Sequence, residues 1–408
     1  MVSALAAAGV VVRPFRIPEV VWAAAGAACV VGLGWLPWQD ALRAVARGSD
    51  VYLFLTGMML LSETARREGV FDWAAARAAS FARGSPRRLF PLIYGVGVAT
   101  TVLLSNDATA VVLTPAVYAV ARTARCEPLP FLFVCAFVAN AASFVLPISN
   151  PANLVLYGGH MPTLVAWLGR FFLPSVLSIG ATYVILRWAM RSHLPEVCAQ
   201  PTASPMLSRS GHVALGGLSL TVVVLLAVSA FGLPLGAPTF VTGALTAVGV
   251  LISRREGPWP LIRGVSWSVL LLVGGLFVLV EALDRAGVPH WLGGLLSAAT
   301  AWSAPAAAGG AGLLVAFIGN LTNNLPAGLV ASSVIAQVHP PQAAVDSLLI
   351  GVDLGPNLSI TGSLATILWL AVIRREGEHV GFWRFLKFGA LVMPPALILA
   401  IGARLLSG

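Results

Sequence analysis

Charge is what this 408-residue chain has least of: 10% of its residues are Asp, Glu, Lys or Arg, against 58% hydrophobic. A soluble domain carries roughly 25% charged residues, so a surface this poor in charge faces lipid. Lysine occurs once, as Lys387. The net charge of +9 does not mark a nucleic-acid binder, because the arginines are spread among short loops. Four cysteines, Cys29, Cys126, Cys135 and Cys198, show no paired spacing and read as packing residues rather than a disulfide or thiolate cluster. Six histidines (His160, His193, His212, His290, His339, His379) fall in loops or at helix ends, too scattered for a metal site. No H-E-x-x-H, G-x-S-x-G, Walker A or C-x-x-C motif is present. The chain therefore lacks the common hydrolase and zinc signatures, implies no cofactor, and has no P-loop with which to use ATP.

What is present is apolar sequence in long runs. Val20–Leu36, Phe171–Leu186, Val213–Phe231, Thr239–Ile252, Trp267–Ala282 and Phe385–Leu405 approach the ~20 apolar residues that cross a bilayer. Arg13 and Arg16 follow the first apolar stretch rather than precede it, unlike a cleaved signal, so the next span is expected to remain as a helix.

Two polar clusters interrupt this background at matching places. Ser105-Asn106-Asp107-Ala108-Thr109 lies in one half and Asn323-Asn324-Leu325-Pro326-Ala327 in the other, and adding 218 to Ser105 gives Asn323. The same offset carries Gly57, Glu63, Arg67, Gly69, Val70 and Trp73 onto Gly275, Glu281, Arg285, Gly287, Val288 and Trp291. Such an internal duplication in a membrane protein points to a transporter built from two related halves.

Arginine placement orients the copies. Arg66, Arg67, Arg77, Arg83, Arg87 and Arg88 crowd residues 63–91, whereas the counterpart 281–309 holds only Arg285. Arg122 and Arg125 likewise have no basic counterpart around His339–Asp346. Positive loops stay in the cytoplasm, so the two copies are predicted to face opposite sides. The predicted fold is an all-α integral membrane protein with two inverted-topology repeats, re-entrant helical hairpins and broken transmembrane helices. The first repeat covers 17–190, with a hairpin at 89–120 and a broken helix at 130–156. A cytoplasmic linker and one extra span occupy 191–234. The second repeat covers 235–406, with a hairpin at 306–338 and a broken helix at 345–371. Nine crossings and two hairpins satisfy the loop charges, leaving the N-terminus cytoplasmic and the C-terminus external.

Pro147-Ile148-Ser149-Asn150-Pro151 must interrupt the first broken helix, since proline removes a backbone donor; Gly355-Pro356-Asn357 and Thr361-Gly362-Ser363 interrupt the second. Irregular backbone in a bilayer is tolerated only where protein or a water-filled cavity meets it. Four interruptions at similar depth would converge on one midplane site, with half-helix N-termini aimed at it. The plainer alternative is that these polar groups only hold helices together. Candidate substrate ligands are Ser105, Asn106, Thr109, Ser149, Asn150, Asn153, Asn323, Asn324, Asn357, Thr361 and Ser363. Asp107 and Asp353 are the acids of these clusters, and an ionisable group in the membrane usually marks an ion or proton path. Asp107 also sits where it could cap the returning hairpin helix. Glu63, Asp72, Glu281 and Asp284, near basic residues at segment ends, read as interfacial salt-bridge partners.

The segments SNDATAVVLTP (105–115), ISNPANLV (148–155), NNLPAGLV (323–330) and GVDLGPNLSITGSLATILWL (351–370) resemble the signature segments of ArsB-type arsenite/antimonite efflux permeases, in order over nearly the whole chain. These belong to the ion transporter superfamily, with dicarboxylate, citrate and sodium/proton carriers. The resemblance implies export of As(OH)3 or Sb(OH)3 across the cell inner membrane in exchange for protons, with a separate soluble ATPase as a candidate partner. The residues agree with that chemistry: a neutral trihydroxide needs hydrogen-bond partners, and no Arg or Lys lies in the clusters to meet a carboxylate substrate. A sodium/proton antiporter remains the rival within the class. Asn150-Pro151-Ala152 also spells the N-P-A of aquaporin-type channels, but the second half offers only Asn324-Leu325-Pro326, and a 218-residue repeat is too long for that fold. Cysteine is not expected to hold the cargo, because a carrier must release it.

Overall fold

The regular structure of the described residues is entirely helical, as lipid requires: without water, a segment must satisfy its own amides and carbonyls. The computed structural model describes residues 19–158, 161–194, 198–199 and 206–407. Arg13, Arg16 and His160 lie outside them, as do residues 195–197 and 200–205 of the linker. Among the described residues, five helices are long and apolar enough to cross a membrane: Leu164–His193, Arg209–Ala230, Gly236–Arg254, Ala304–Thr322 and Phe382–Leu406. A sixth span forms if Trp38–Arg47 and Ser49–Arg67, bent by 51° at their junction, count as one. Phe172, Val184, Val223, Leu245 and Ile398 stand exposed on these helices, which suits contact with lipid tails.

Helix Ser49–Arg67 packs on Gly236–Arg254, and Glu19–Gly32 on Ser268–Arg285. Small residues permit the first approach, as in many membrane interfaces. A Cβ on Gly57 would stand 2.4 Å from the Thr239 backbone, and one on Gly243 2.5 Å from the Gly57 carbonyl oxygen. Ion pairs close the end of this pair: Arg67 to Glu256 and Arg254 to Glu68, each 3.1 Å. At the opposite end of Ser49–Arg67, the short polar helix Trp38–Arg47 joins in through Arg47–Glu281 and Arg285–Asp40 pairs. That helix was missed in the sequence because its ten residues carry too little apolar surface to stand out.

The other body holds the interruptions. Its first hairpin runs up Pro86–Leu103 and returns as Asn106–Ala108, a π-helical turn Thr109–Leu113, and Thr114–Thr123. Its second pairs Ala304–Thr322 with Asn324–Val338. The first broken helix consists of Leu129–Ala141, a 3-10 turn Pro147–Ser149, and Pro151–Tyr157; the second of Gln342–Leu354, Gly355–Leu358 and Leu364–Arg375. The first break begins at Ala142, upstream of the expected prolines. Pro147 cannot donate to the Ser143 carbonyl and disfavours helix in the residue before it, so the helix ends a turn early. Pro151 then opens the next half-helix at a position that needs no amide.

Each hairpin lies against the broken helix of its own half and also reaches the other half, the first against Leu364–Arg375 and the second against Pro151–Tyr157. Phe133, Phe137, Trp369, Phe385 and Phe388 form an aromatic cluster where the two broken helices meet the last helix, and Trp369 Nε1 donates to the Leu132 carbonyl at 2.9 Å.

Two sequence expectations are corrected. Cys126 and Cys198 form a disulfide, with Cα atoms 5.5 Å apart. Their 72-residue separation hid a pairing that the fold creates by laying residues 198–199 across the loops at Gly84 and Ala124. Cys135 is a buried packing residue as expected, while Cys29 is exposed. Glu63 and Glu281 are ion-paired with Arg66 and Arg47, but Asp284 accepts a hydrogen bond from the Gln337 amide.

Candidate functional site

The four interruptions converge, and hydrogen bonds show how. Ser105, Asn150, Asn323 and Ser363 each cap the helix that restarts after an interruption, accepting from the amides of Ala108 (3.2 Å), Ala152 (3.0 Å), Leu325 (3.4 Å) and Thr366 (3.1 Å). A short polar side chain before each restart is the ordinary solution to orphaned first-turn amides. The capping role open to Asp107 in the sequence is thus taken by Ser105. Asp107 instead lines a cavity with Ser105, Met58, Ser62, Glu63 and Pro151.

A matched pair of cross-bonds stands among those that join the halves. Asn150 Nδ2 donates to Asp353 Oδ1 at 2.8 Å, and Ser363 Oγ donates to Asn140 Oδ1 at 3.2 Å. Adding 213 to Asn140 and Asn150 gives Asp353 and Ser363, so the two bonds occupy equivalent places. Asn140 further donates to Asn357 Oδ1 (3.0 Å) and Thr366 Oγ1 (3.2 Å), and Asn357 Nδ2 to the Phe137 carbonyl (3.0 Å). Asn140, Asn150, Asp353, Asn357 and Ser363 are all within 1% of full burial.

The unwound carbonyls are also satisfied. Asn153 Nδ2 reaches those of Ser143 (2.9 Å), Leu146 (3.3 Å) and Pro147 (3.3 Å). In the second half, Asn320 of the hairpin donates to the Gly355 carbonyl (3.0 Å) and accepts from Ser359 Oγ (2.8 Å), while Thr361 Oγ1 donates to the Asn320 carbonyl (2.9 Å). Ser149 Oγ donates to the Val102 carbonyl at 3.0 Å, tying the first hairpin to the first break. The Asn324 amide donates to the Gly362 carbonyl at 2.9 Å, tying the second hairpin to the second break. Thr109 meets Thr101 at 2.8 Å inside the first hairpin, where Thr114 Oγ1 donates to the Thr109 carbonyl across the π-turn. Asn106 Oδ1 accepts from the Asp107 amide at 2.9 Å.

Most of the candidate ligands are therefore engaged within the protein. Among the described site residues, Asn153 Oδ1, Asn324 Oδ1 and Asp353 Oδ2 are buried acceptors left without a hydrogen-bond partner. Asn140, Asn320, Ser359 and Thr366 were not singled out as site residues from sequence. Asn140 had a signal, since it falls on Asp353 in the 213 frame.

Two cavities lie between helix Ser49–Arg67 and the half-helix Pro151–Tyr157. The smaller, about 80 Å³, is the one with Asp107 and reaches Glu63. The larger, about 440 Å³, lies beyond Val51 and Leu154, and takes in Asp50, Glu281, Ser332 and Ser333. Farther along Gln342–Leu354 lies a buried ion pair that the sequence did not disclose: Arg404 Nε on Asp346 Oδ2 at 2.7 Å, with Tyr157 and Gln342 on Oδ1 at 2.8 Å each.

A helical bundle with broken helices, hairpin tips and a buried polar centre is the construction of a multi-pass membrane transporter, and the chain is a transporter rather than an enzyme. The citrate transporter family profile matches residues 7–354, and the chain belongs to that family. The arsenical pump membrane protein of Escherichia coli is 27% identical over 94% of this chain and 95% of its own. That of Yersinia enterocolitica is 28% identical over 92% and 89%. An uncharacterized transporter of Mycobacterium tuberculosis is 28% identical over 98% and 96%. The fold is similar to the YdaH transporter of Alcanivorax borkumensis (TM-score 0.59, 14% identity, 90% of this chain and 87% of that one). It is also similar to MtrF of Neisseria gonorrhoeae (TM-score 0.54, 13% identity, 90% and 83%).

Proposed function

We propose that this protein exports arsenite, and antimonite with it, from the cytoplasm across the inner membrane in exchange for protons. The two halves act as inverted repeats, residues 17–190 and 235–406, with the linker and extra helix 191–234 between them. The hairpins and broken helices move as one body against the helices Ser49–Arg67 and Gly236–Arg254. The arginine-rich loops lie in the cytoplasm, which leaves the C-terminus outside. Asp107 and Asp353 carry the protons. The trihydroxide is bound along the cleft by Ser105, Asn106, Thr109, Ser149, Asn150, Asn153, Asn323, Asn324, Asn357, Thr361 and Ser363, some of which must exchange a protein partner for substrate as the bodies move.

The observation that carries this reading is the chemistry of the centre: amides and hydroxyls cross-bonded around one carboxyl, Asp353, whose bonded partner is the amide of Asn150. Such a centre suits a neutral hydroxylated solute and a proton. The arsenical pump names of relatives aligned over nine-tenths of the chain support the same substrate. The family's name offers a second reading, a citrate or other organic-anion carrier. A polyanion needs cations at its site, and the buried arginine nearby, Arg404, is already committed to Asp346. Proteoliposomes or everted vesicles decide between these. Arsenite should accumulate when a pH gradient is imposed, and citrate or Na+ should not. Arsenite uptake that ignores the gradient would remove the coupling, and citrate uptake without arsenite uptake would replace the substrate.

A further inference from the structure

The disulfide Cys126–Cys198 plays no part in the transport scheme above. It joins the loop after the first hairpin to the linker between the halves. Backbone bonds hold residues 198–199 against both loops that flank the hairpin: the Cys198 amide to the Gly84 carbonyl at 2.9 Å, and the Ala199 amide to the Ala124 carbonyl at 2.7 Å. The neighbouring sequence is basic, with Arg83 beside Gly84 and with Arg122 and Arg125 leading into Cys126. By the positive-inside rule this is the cytoplasmic face. Disulfides there are rare, and those that form are transient, catalytic or redox-sensing.

Resting on the arsenite reading, we propose that Cys126 and Cys198, once reduced, form a dithiol site for trivalent arsenic on the cytoplasmic face, apart from the transport cleft. Cytosolic low-molecular-weight thiols supply two electrons and two protons to the S–S bond and are themselves oxidised to a disulfide. Each cysteine thiol then displaces one hydroxide from As(OH)3. Two As–O bonds break, two As–S bonds form, and each thiol proton leaves with its hydroxide as water. Arsenic remains trivalent and keeps its third hydroxyl. The Cα separation of 5.5 Å lets the two sulfurs meet one another, within the roughly 4.4–6.8 Å usual for a cystine, and a single bridging atom asks for only a small opening. The S–As–S bridge restores the cross-link that reduction removed. Cys198 is thus fastened covalently to the loop after the first hairpin when the pair is oxidised or arsenic-loaded, and held there by backbone bonds alone when it is reduced and empty. Retention at two thiolates suits a sensor of cytoplasmic arsenic rather than the carrier path, which must let its cargo go.

The test uses the full chain in lipid nanodiscs, reduced and then freed of reductant, with maleimide labelling of each cysteine followed by mass spectrometry. Arsenite should slow labelling of Cys126 and Cys198 about tenfold or more, leave Cys29 unchanged, and add one arsenic to the intact mass. In Cys198→Ser the protection of Cys126 should disappear. Equal labelling with and without arsenite would overturn the site, as would protection that survives Cys198→Ser. Arsenite uptake by wild-type vesicles, measured alongside, reports separately on the transport reading. Uptake with unprotected thiols sinks only the dithiol site, and protected thiols without uptake sink only the carrier.

Discussion

The two interrupted helices solve one problem with different atoms. In the first, Asn153 satisfies the unwound carbonyls from within the same broken helix. In the second, Asn320 does so from the neighbouring hairpin. The packing differs in the same sense. A Cβ on Gly351 would lie 2.2 Å from the Gly312 carbonyl oxygen, so the second hairpin and its broken helix touch backbone to backbone. In the first half the corresponding close contact is a Val138 methyl, 2.7 Å from a Cβ on Gly97. The sharpest contrast is chemical: Asn140 stands where the other half has Asp353, and each is bonded by the capping residue of the opposite break. An amide there can only hold the halves together. A carboxyl can hold them and also change its charge. Two cross-bonds at equivalent places thus differ in one group, an amide in the first half and a carboxyl in the second.

The most severe way to break this comparison is to make the copies alike. Asp353→Asn keeps the size of the side chain and an oxygen to accept from Asn150, but removes the titration. Arsenite accumulation driven by a pH gradient should fall about a hundredfold, the lower end of what a positioned proton-transfer group contributes, while arsenite binding partly survives. Asp107→Asn, at the cavity of the first hairpin, should likewise abolish acceleration by the gradient. Transport by either variant at the wild-type rate against a substrate gradient would place the proton path elsewhere.

Asp346, seven residues before Asp353 on the same helix, is the internal control. Among the described residues Asp346 has an ion-pair partner, Arg404 at 2.7 Å, and Asp353 has none. Arg404→Met would leave that carboxylate buried beside Tyr157 and Gln342 alone. Removing one partner of a buried pair costs about 3–5 kcal/mol, so thermal unfolding in detergent should shift down strongly. Adding Asp346→Asn should recover part of the loss. A silent Arg404→Met would mean that the ion pair contributes little to folding and that the contrast between the two acids is one of degree.

These differences mark how far the sequence could be read. The hairpins and broken helices were legible because Pro147, Pro151, Pro356 and the Ser/Asn clusters stand out against apolar sequence, and the clusters recur at fixed offsets. Residues 306–338 and 345–371 were expected as the second hairpin and broken helix, and the helices there run Ala304–Thr322, Asn324–Val338, Gln342–Leu354 and Leu364–Arg375. What the clusters do was less legible. Spacing marks Asn153 as polar in an apolar run, but only folding shows its amide turned back on its own break. The same limit hid Arg404, a basic residue in the last turn of Phe382–Leu406 whose partner shows only once the fold buries it against Asp346. It also hid Cys126–Cys198, whose meeting depends on where the linker lies.

Making the first half resemble the second is a gentler experiment. In Asn140→Asp the bond from Ser363 survives, since it needs an oxygen at position 140. The two donations do not. Asn357 Oδ1 would face a carboxylate, and it cannot turn its amide toward it without giving up the Phe137 carbonyl. A buried acceptor left without its donor costs about 1–3 kcal/mol, to be read as a lower unfolding temperature. A variant as stable as wild type and with altered pH dependence would show that either half can carry the proton.

The smallest effect belongs to Ser149→Ala, which tests whether the hairpin and break of the first half move together. Ser149 Oγ donates to the Val102 carbonyl and accepts from the Leu146 amide. Val102 lies in the last turn of Pro86–Leu103, where helical carbonyls have no amide above them, so Ser149 fills an existing vacancy rather than competing with the helix. Losing a hydrogen bond of this kind costs about 0.5–1.5 kcal/mol, and the hydroxyl's absence leaves room for a water at the carbonyl. Transport should fall severalfold at most, with the pH dependence unchanged, because no titrating group is touched. In the second half the equivalent tie is a backbone bond, from the Asn324 amide to the Gly362 carbonyl, and no side-chain substitution can remove it. A loss of coupling in Ser149→Ala as complete as that in Asp353→Asn would therefore make the first hairpin's attachment, rather than the acid in the second half, the element that governs exchange.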